Sequence, residues 1–365
     1  MTADAADPST ADPSTGEAAD PSTGNTSAGA VADPSTGDPS AAGPPLAPVP
    51  AHPRRLVYLG TPEAAVPPLH ALVEAGFELA AVVTRVDKRR GRGGKLTPSP
   101  VKSAALELDL PVLHRVDEAL GLGADLGVVV AFGQLIRPHV LAALPMVNLH
   151  FSLLPRWRGA APVERALLAG DRQTGVCLMQ VEHGLDTGGV FAREVVPIGE
   201  RVTAVELRAE LVTVGARLLV DSLTAGLGAP QPQRGEPLYA AKIDPSELRI
   251  DWSRPAVEID RLVRLGGAWS SFRSKRIKVV AADLVAWEHV DREPVDAEPV
   301  DREQQVDREQ VGGPAEPGHL SAAGIVSCGT GALALRVVQP EGKAPMPFAA
   351  WANGARPQPD ERFGS

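Results

Sequence analysis

Apolar positions in the first half of the chain switch between two spacings, and glycine and proline mark the switch points. Residues 55–59 (RLVYL) form a short apolar run that ends at Gly60, as a buried strand does. Thr61-Pro62-Glu63 then supplies a capping side chain, a proline for the first helical position and a first-turn acid, which predicts a helix through about residue 75. Residues 77–84 read as a second strand, 99–108 as a helix and 126–131 as a third strand, whose run of three valines suits burial on both faces. Strands alternating with helices predict an α/β fold with a doubly wound, Rossmann-like, mostly parallel sheet, whose ligands sit at the carboxyl ends of the strands. Gly121-Leu122-Gly123 precedes a strand instead of following one, so it reads as a turn and not as a dinucleotide motif.

From about residue 243 the pattern changes. Short β-rich runs at 277–281, 324–327 and 332–338 are separated by Gly, Pro and Asp, which predicts a small β-barrel (OB-like) module. The stretch GLGAPQPQRGEP, 226–237, is the natural boundary between the two. The expected organisation is a low-complexity tail over 1–53, an α/β domain over 54–235 and a C-terminal β module over 236–365 that carries an acidic insertion at 290–315.

Composition sharpens this division. The tail repeats ADPST at 6–10, 11–15, 19–23 and 32–36 and has almost no large apolar residue, so it cannot bury enough surface to offset its ordering entropy. The repeats VDRE, VDAE, VDRE and VDRE between Val290 and Glu309 read as a solvated low-complexity loop. Residues 1–53 carry a charge of −7 and 290–311 a charge of −5, so removing both from the total of −9 leaves +3 for the rest. That balance permits a polyanionic partner without requiring one. There is no apolar run of 18 residues and no charged-then-apolar start, which predicts neither a membrane span nor a secretory signal. Cys177 and Cys328 lie far apart without metal-ligand spacing and are expected to be buried free thiols in a reducing cytoplasm.

The stretch VNLHFSLLPRWRG, 147–159, breaks the pattern of a core strand. Asn148 and His150 share one strand face, where an amide and an imidazole can bind a carbonyl and the charge that grows on its oxygen. A polar pair satisfied by backbone groups at a sheet edge fits those two residues equally well. A second stretch, VEHGLDTGGV at 181–190, sets Asp186 among Gly184, Gly188 and Gly189, which let backbone approach a ligand closely. An aspartate brought beside an imidazole serves proton transfer; alone, it reads as a turn residue capping its own loop.

Asn148 and His150, with Ser152-Leu153-Leu154-Pro155, the run Arg156 to Pro162 (RWRGAAP) and Gly184-Leu185-Asp186-Thr187-Gly188, together resemble the folate-dependent formyltransferases. The similarity is strongest to the branch that acts on methionyl initiator tRNA. GTPEAAV at 60–66, GRGGKLTPSPVK at 91–102 and RIDWS at 249–253 resemble further landmarks of that branch, and the 38-residue separation of Asn148 from Asp186 agrees with its pattern. The resemblance runs from about Arg54 to Gly364.

It implies transfer of a formyl group from 10-formyltetrahydrofolate, as donor substrate and without a metal, to the amino group of methionine on initiator tRNA. Asn148 would hold the formyl oxygen, His150 would stabilise the oxyanion, and Asp186 would support His150 and shuttle the proton of the amine. Ser152, Leu153, Leu154 and Pro155 would line the tetrahydrofolate site. The loop with Gly133, Gln134, Leu135 and Ile136 would offer backbone groups to the pterin. At least one of the two leucines is expected to be plain core. Arg90, Arg92 and Lys95, in a glycine-rich loop with Arg85, Lys88 and Arg89 against the single acid Asp87, would meet the acceptor stem. Arg273, Lys275 and Arg276, among Arg261, Arg264 and Lys278, would add phosphate contacts in the C-terminal tRNA-binding module, with Trp269 and Phe272 as stacking faces. The chain is expected to act as a monomer in the cytoplasm.

Two departures stand out: Gly189 replaces an acidic residue common in the family, and 114–125 is a shorter connection than the family's helix-bearing one. The rival readings are a formyltransferase for a small amine, glycinamide ribonucleotide or an amino sugar nucleotide, and an RNA-binding protein that lost catalysis.

Overall fold

The computed structural model describes residues 44–90, 94–285, 316–321, 323–358 and 361–364, except the side chains of Arg90 and Lys95. The ADPST repeats and the VDRE repeats lie outside these residues. The first apolar run is strand β1 (Arg55–Gly60), buried from Leu56 onward. The expected helix follows in two pieces, a 3-10 turn (Glu63–Ala65) and then α1 (Val66–Glu74). Thr61 does not cap it: Pro62 occupies the cap position, and the Thr61 hydroxyl instead donates to the Phe132 carbonyl at 3.4 Å. Next come β2 (Glu78–Val83), a short ladder of β3 (Lys88–Arg90) and β4 (Lys95–Thr97), and α2 (Pro100–Glu107). Ser99 caps α2, its hydroxyl oxygen accepting from the Lys102 amide at 3.0 Å.

The α/β half continues through β5 (Val112–Leu113), β6 (Leu126–Val130), α3 (Pro138–Ala143), β7 (Met146–His150), β8 (Arg158–Gly159) and α4 (Pro162–Ala169). It ends with β9 (Gln173–Gln180), β10 (Val190–Pro197) and the long α5 (Ala204–Ala225). Thr203 and Glu206 start α5 with a reciprocal capping box. Seven strands form one sheet in the order β10-β9-β7-β6-β1-β2-β5. The five strands from β7 to β5 pair in parallel, while β9 runs antiparallel to both its neighbours. The chain steps outward from β1 to β2 and β5, then returns to β6 on the other side of β1. That reversal opens a crevice beyond the carboxyl ends of the strands.

Both faces of the sheet are covered, which is why its strands read as unbroken apolar runs. Leu56, Tyr58, Val128, Val147 and Leu149 pack on one side with Leu69, Leu72, Leu207, Leu211 and Leu219 of α1 and α5. Val57, Leu59, Val129 and Met146 pack on the other with Val140 and Leu141 of α3.

The C-terminal half contains β11 (Tyr239–Ala240), α6 (Ala256–Leu265), β12 (Trp269–Phe272), β13 (Lys275–Val285), β14 (Ile325–Ser327), β15 (Ala332–Pro340), β16 (Met346–Pro347) and α7 (Phe348–Ala355). Its antiparallel sheet runs β12-β13-β15-β14, with β16 added to β15. An aromatic cluster fills its core, with the rings of Phe272 and Trp351 edge to face at 5.0 Å and Phe363 and Phe348 beside them. Arg264 donates to the Val202 carbonyl at 3.0 Å, and Arg165 of α4 pairs with Glu247 at 2.7 Å, so the two halves are held together by fixed polar contacts.

Candidate active site

Strand β7 lies inside the sheet, between β6 and β9, with Asn148 opposite Val129 and Met179 and His150 opposite Cys177. A sheet-edge explanation for the two polar residues therefore does not hold. Val147 and Leu149 take one face into the main core, and period-two alternation leaves Asn148 and His150 on the other.

The connection between β9 and β10 folds back over that second face. It brings the Asp186 carboxylate to 3.5 Å from the Asn148 amide nitrogen and 3.6 Å from His150 Nδ1. The Gly159 amide donates to the same carboxylate at 2.8 Å. His150, only 6% exposed, places Nε2 at 2.9 Å from the Trp157 carbonyl. A carbonyl only accepts, so Nε2 carries a proton, and Nδ1 is the ring nitrogen left facing Asp186. Three residues around this point, Ala131, Trp157 and Asp186, hold left-handed backbone angles with φ of 47°, 62° and 51°. Such positions cost energy for residues other than glycine, least for Asp and Asn, and they gather at functional sites.

The segment after β7 explains its own wording. Ser152 is fully buried and donates to the Arg156 carbonyl at 2.6 Å. Leu154 is core, packed with Cys177, Met179 and Val190, and it precedes a cis proline, Pro155. Leu153 is half-buried and lies over Gly175, where a Cβ would come within 2.6 Å of it. Arg156 forks onto Asp171 at 2.8 and 2.5 Å, and the Trp157 indole donates to the same carboxylate at 2.8 Å. This pairing holds the Arg156 guanidinium pKa above its ordinary value. Arg158 donates to the Gln233 side-chain oxygen at 3.1 and 2.7 Å. Both arginines of the run are thus engaged within the protein.

Gln233 has no counterpart in the sequence reading. It sits in the stretch read as a linker, yet its amide nitrogen donates to the carbonyls of Asp186 and Gly188, each at 2.8 Å. Nothing in a Pro- and Gly-rich stretch signals such contacts. The same stretch accounts for Gly189: a Cβ there would lie 2.9 Å from Pro230, so no side chain fits as the backbone stands.

The loop after β6 is open to solvent. Gly133 has φ of 71°, Gln134 is exposed, Ile136 is half-buried and Leu135 is 87% exposed. A side cavity of about 150 Å³ beside it is lined by Arg115, Asp117, Gln134, Leu135 and Arg137 among others.

The basic residues separate into two groups. Arg92 lies outside the described residues, as do the side chains of Arg90 and Lys95; their backbones belong to the β3 and β4 ladder. In that ladder Arg89 donates to the Gly94 carbonyl at 3.0 Å, and just before it Asp87 pairs with Lys102 at 2.9 Å. Arg273 is used inside the C-terminal module, where it binds Glu361 and donates to the carbonyls of Ala355 and Arg356. Lys275 and Arg276 are exposed, and the Arg276 guanidinium stands 4.3 Å over the Trp269 ring. Phe272 is 6% exposed and belongs to the core, so it offers no stacking face.

Both cysteines are free and buried, and burial pushes their thiols up, that of Cys328 to about 12. Among the described residues no group of three or more His, Cys, Asp or Glu is placed to hold a metal ion. None of their helices is long and apolar enough to cross a membrane.

A Rossmann-like domain with an amide, an imidazole and a carboxylate converging beside a mostly parallel sheet, joined to an antiparallel β module, has the groups that a group-transfer enzyme needs to polarise a carbonyl and move a proton. The chain belongs to the formyl transferase family. The formyl transferase domain model matches residues 54–223, and the formyl transferase C-terminal domain model matches 242–356. A protein of Roseobacter denitrificans named methionyl-tRNA formyltransferase is 44% identical over 320 residues, which is 82% of this chain and 96% of that protein. Its namesake in Symbiobacterium thermophilum is 42% identical over 332 residues, 85% of this chain and 95% of the relative. The fold is also that of an N-formyltransferase from Helicobacter canadensis solved with folinic acid and dTDP-3-aminofucose. That structure superposes at a TM-score of 0.53 and 16% identity, over 77% of this chain and 98% of the other.

Proposed function

We propose that the chain transfers the formyl group of 10-formyltetrahydrofolate to the amino group of methionyl initiator tRNA, with Asn148, His150 and Asp186 as the catalytic residues. The convergence of these three side chains, from segments 38 residues apart, carries the formyl-transfer part of the reading, and the relatives named for methionyl-tRNA support the acceptor. The donor supplies the formyl carbon. The amine nitrogen bonds to that carbon, the bond from the carbon to the folate nitrogen breaks, the amine loses one proton and the folate nitrogen gains one. Asn148 donates to the formyl oxygen. His150, its ring fixed by the Trp157 carbonyl through Nε2–H, stabilises the charge that grows on that oxygen as the imidazolium, donating from a protonated Nδ1. Asp186, oriented by the Gly159 amide, takes the proton from the amine and stabilises a charged imidazole.

Exposed Leu135 and the backbone of 133–136, with half-buried Leu153 and Pro155, form the folate side of the site, an apolar face for the ring and backbone groups for its amide edge, while buried Ser152 and Leu154 support that segment from within. Lys275 and Arg276, with Trp269, provide the phosphate and stacking contacts of the C-terminal module, which Arg273 braces from within. Arg90, Arg92 and Lys95 meet the acceptor stem. One copy of the chain in the cytoplasm suffices for this chemistry.

The small-amine alternative would share the three catalytic residues, but the relatives that match most of this chain carry the tRNA name. The deciding experiment supplies 10-formyltetrahydrofolate with charged initiator tRNA, charged elongator tRNA and glycinamide ribonucleotide in parallel. Formylation of initiator methionyl-tRNA is expected. Formylation of glycinamide ribonucleotide with the tRNAs untouched would overturn the reading.

A further inference from the structure

The stretch between α5 and β11 is hydrogen-bonded to both segments that carry the site. Gln231 and Val190 exchange two backbone hydrogen bonds at 2.8 Å. The Leu238 carbonyl accepts from the Arg158 amide at 2.8 Å, and the Ala240 carbonyl accepts from the Ala160 and Ala161 amides at 2.9 and 3.1 Å. Within this strap Gln233 is half-buried. An amide side chain has two donor hydrogens and one acceptor oxygen with two lone pairs. Gln233 uses all of them on two segments: both hydrogens on the carbonyls of Asp186 and Gly188, and the oxygen on two nitrogens of Arg158.

We propose that Gln233 is a positioning residue that sets the Asp186 carboxylate against Gly159, Asn148 and His150, so that the segment joining the two domains fixes the catalytic geometry. The inference rests on the reading that Asp186 takes part in formyl transfer.

The loop it holds needs an external brace. Asp186 has a left-handed φ of 51° and stands among Gly184, Gly188 and Gly189, and its neighbour Leu185 is 59% exposed. Such a loop has little side-chain packing of its own. Gln233 clamps the carbonyls on either side of Thr187, which leaves the carboxylate free to meet the Gly159 amide. A displacement of about 1 Å in a catalytic group is enough to cost on the order of 100-fold in rate.

The test compares Gln233→Ala and Gln233→Glu with the parent. The Glu variant keeps an acceptor for Arg158 and replaces the donating NH2 group with one oxygen that faces both carbonyls. In both, single-turnover transfer at saturating donor and tRNA is expected to fall on the order of 10- to 100-fold, with KM for each substrate near that of the parent. Amide hydrogen exchange over 184–189 should quicken while 146–150 stays protected. In an Asp186→Ala background, Gln233→Ala should add little, because the group it positions is gone. Parent-like rate and parent-like exchange in both variants would overturn the proposal, as would an equal loss with and without Asp186. The exchange measurement needs no activity, so an inactive parent would end the functional reading while still reporting on Gln233.

Discussion

Two loops flank β7, and they are held very differently. The 181–189 connection is tied by the Gln233 amide, by the strap at Val190 and by the Gly159 hydrogen bond to Asp186. The 131–137 loop projects into solvent with Leu135 87% exposed. The first presents a charge that must be in place before reaction, and preorganised groups do most for a transition state. The second presents backbone edges and an apolar face, which a ligand can order as it binds. Under the proposed function, the contrast gives chemistry to the braced loop and donor capture to the open one.

Substitutions on the two sides should therefore separate rate from binding. The largest effect is expected on the braced side: His150→Ala should lower single-turnover transfer on the order of 100-fold or more while donor binding persists. A loss confined to donor KM would reverse the assignment. Salt comes next. Binding of tRNA should weaken steeply as salt rises, and Lys275→Ala or Arg276→Ala should each reduce the log–log slope by about 0.7 to 0.9. A flat dependence would remove the phosphate contacts from the account. On the open side, Leu135→Ala should raise donor KM roughly 10-fold, the scale of burying part of a leucine side chain, with kcat close to the parent's.

The smallest effect lies away from both loops. Arg273 beside Glu361 holds that carboxyl at about 2 against an ordinary 4.5. A depressed carboxylate stabilises the fold above its ordinary value, and that contribution is lost as pH falls from about 4.5 towards 2. Both side chains meet solvent, so only a modest part is expected to register, as a flatter acid limb of the melting curve in Glu361→Gln.

Much of this division was legible in the sequence, because Asn148 and His150 share a strand face by period alone and Asp186 is framed by glycines. The parallel half was also legible, since strands covered on both faces leave continuous apolar runs. What could not be read were contacts between distant segments. Gln233 reaches Asp186 across 47 positions, and nothing local distinguishes it from a linker glutamine. Thr61 was expected to cap a helix, but tertiary structure draws its hydroxyl to Phe132. Phe272 looked available for stacking because its basic neighbours are exposed. Its face is set by pairing with β13, and that pairing turns it into the core. By sequence Arg156 had RNA, folate or a neighbouring carboxylate as equal partners, and folding brings Asp171 to it.

The central claim is that Asp186, held in place by the fold, takes part in formyl transfer. The most direct test is single-turnover transfer from 10-formyltetrahydrofolate to charged initiator tRNA by Asp186→Asn, an isosteric change that removes the charge. The expected result is a loss on the order of 100-fold or more with donor and tRNA binding retained. Transfer at the parent's rate would contradict the account.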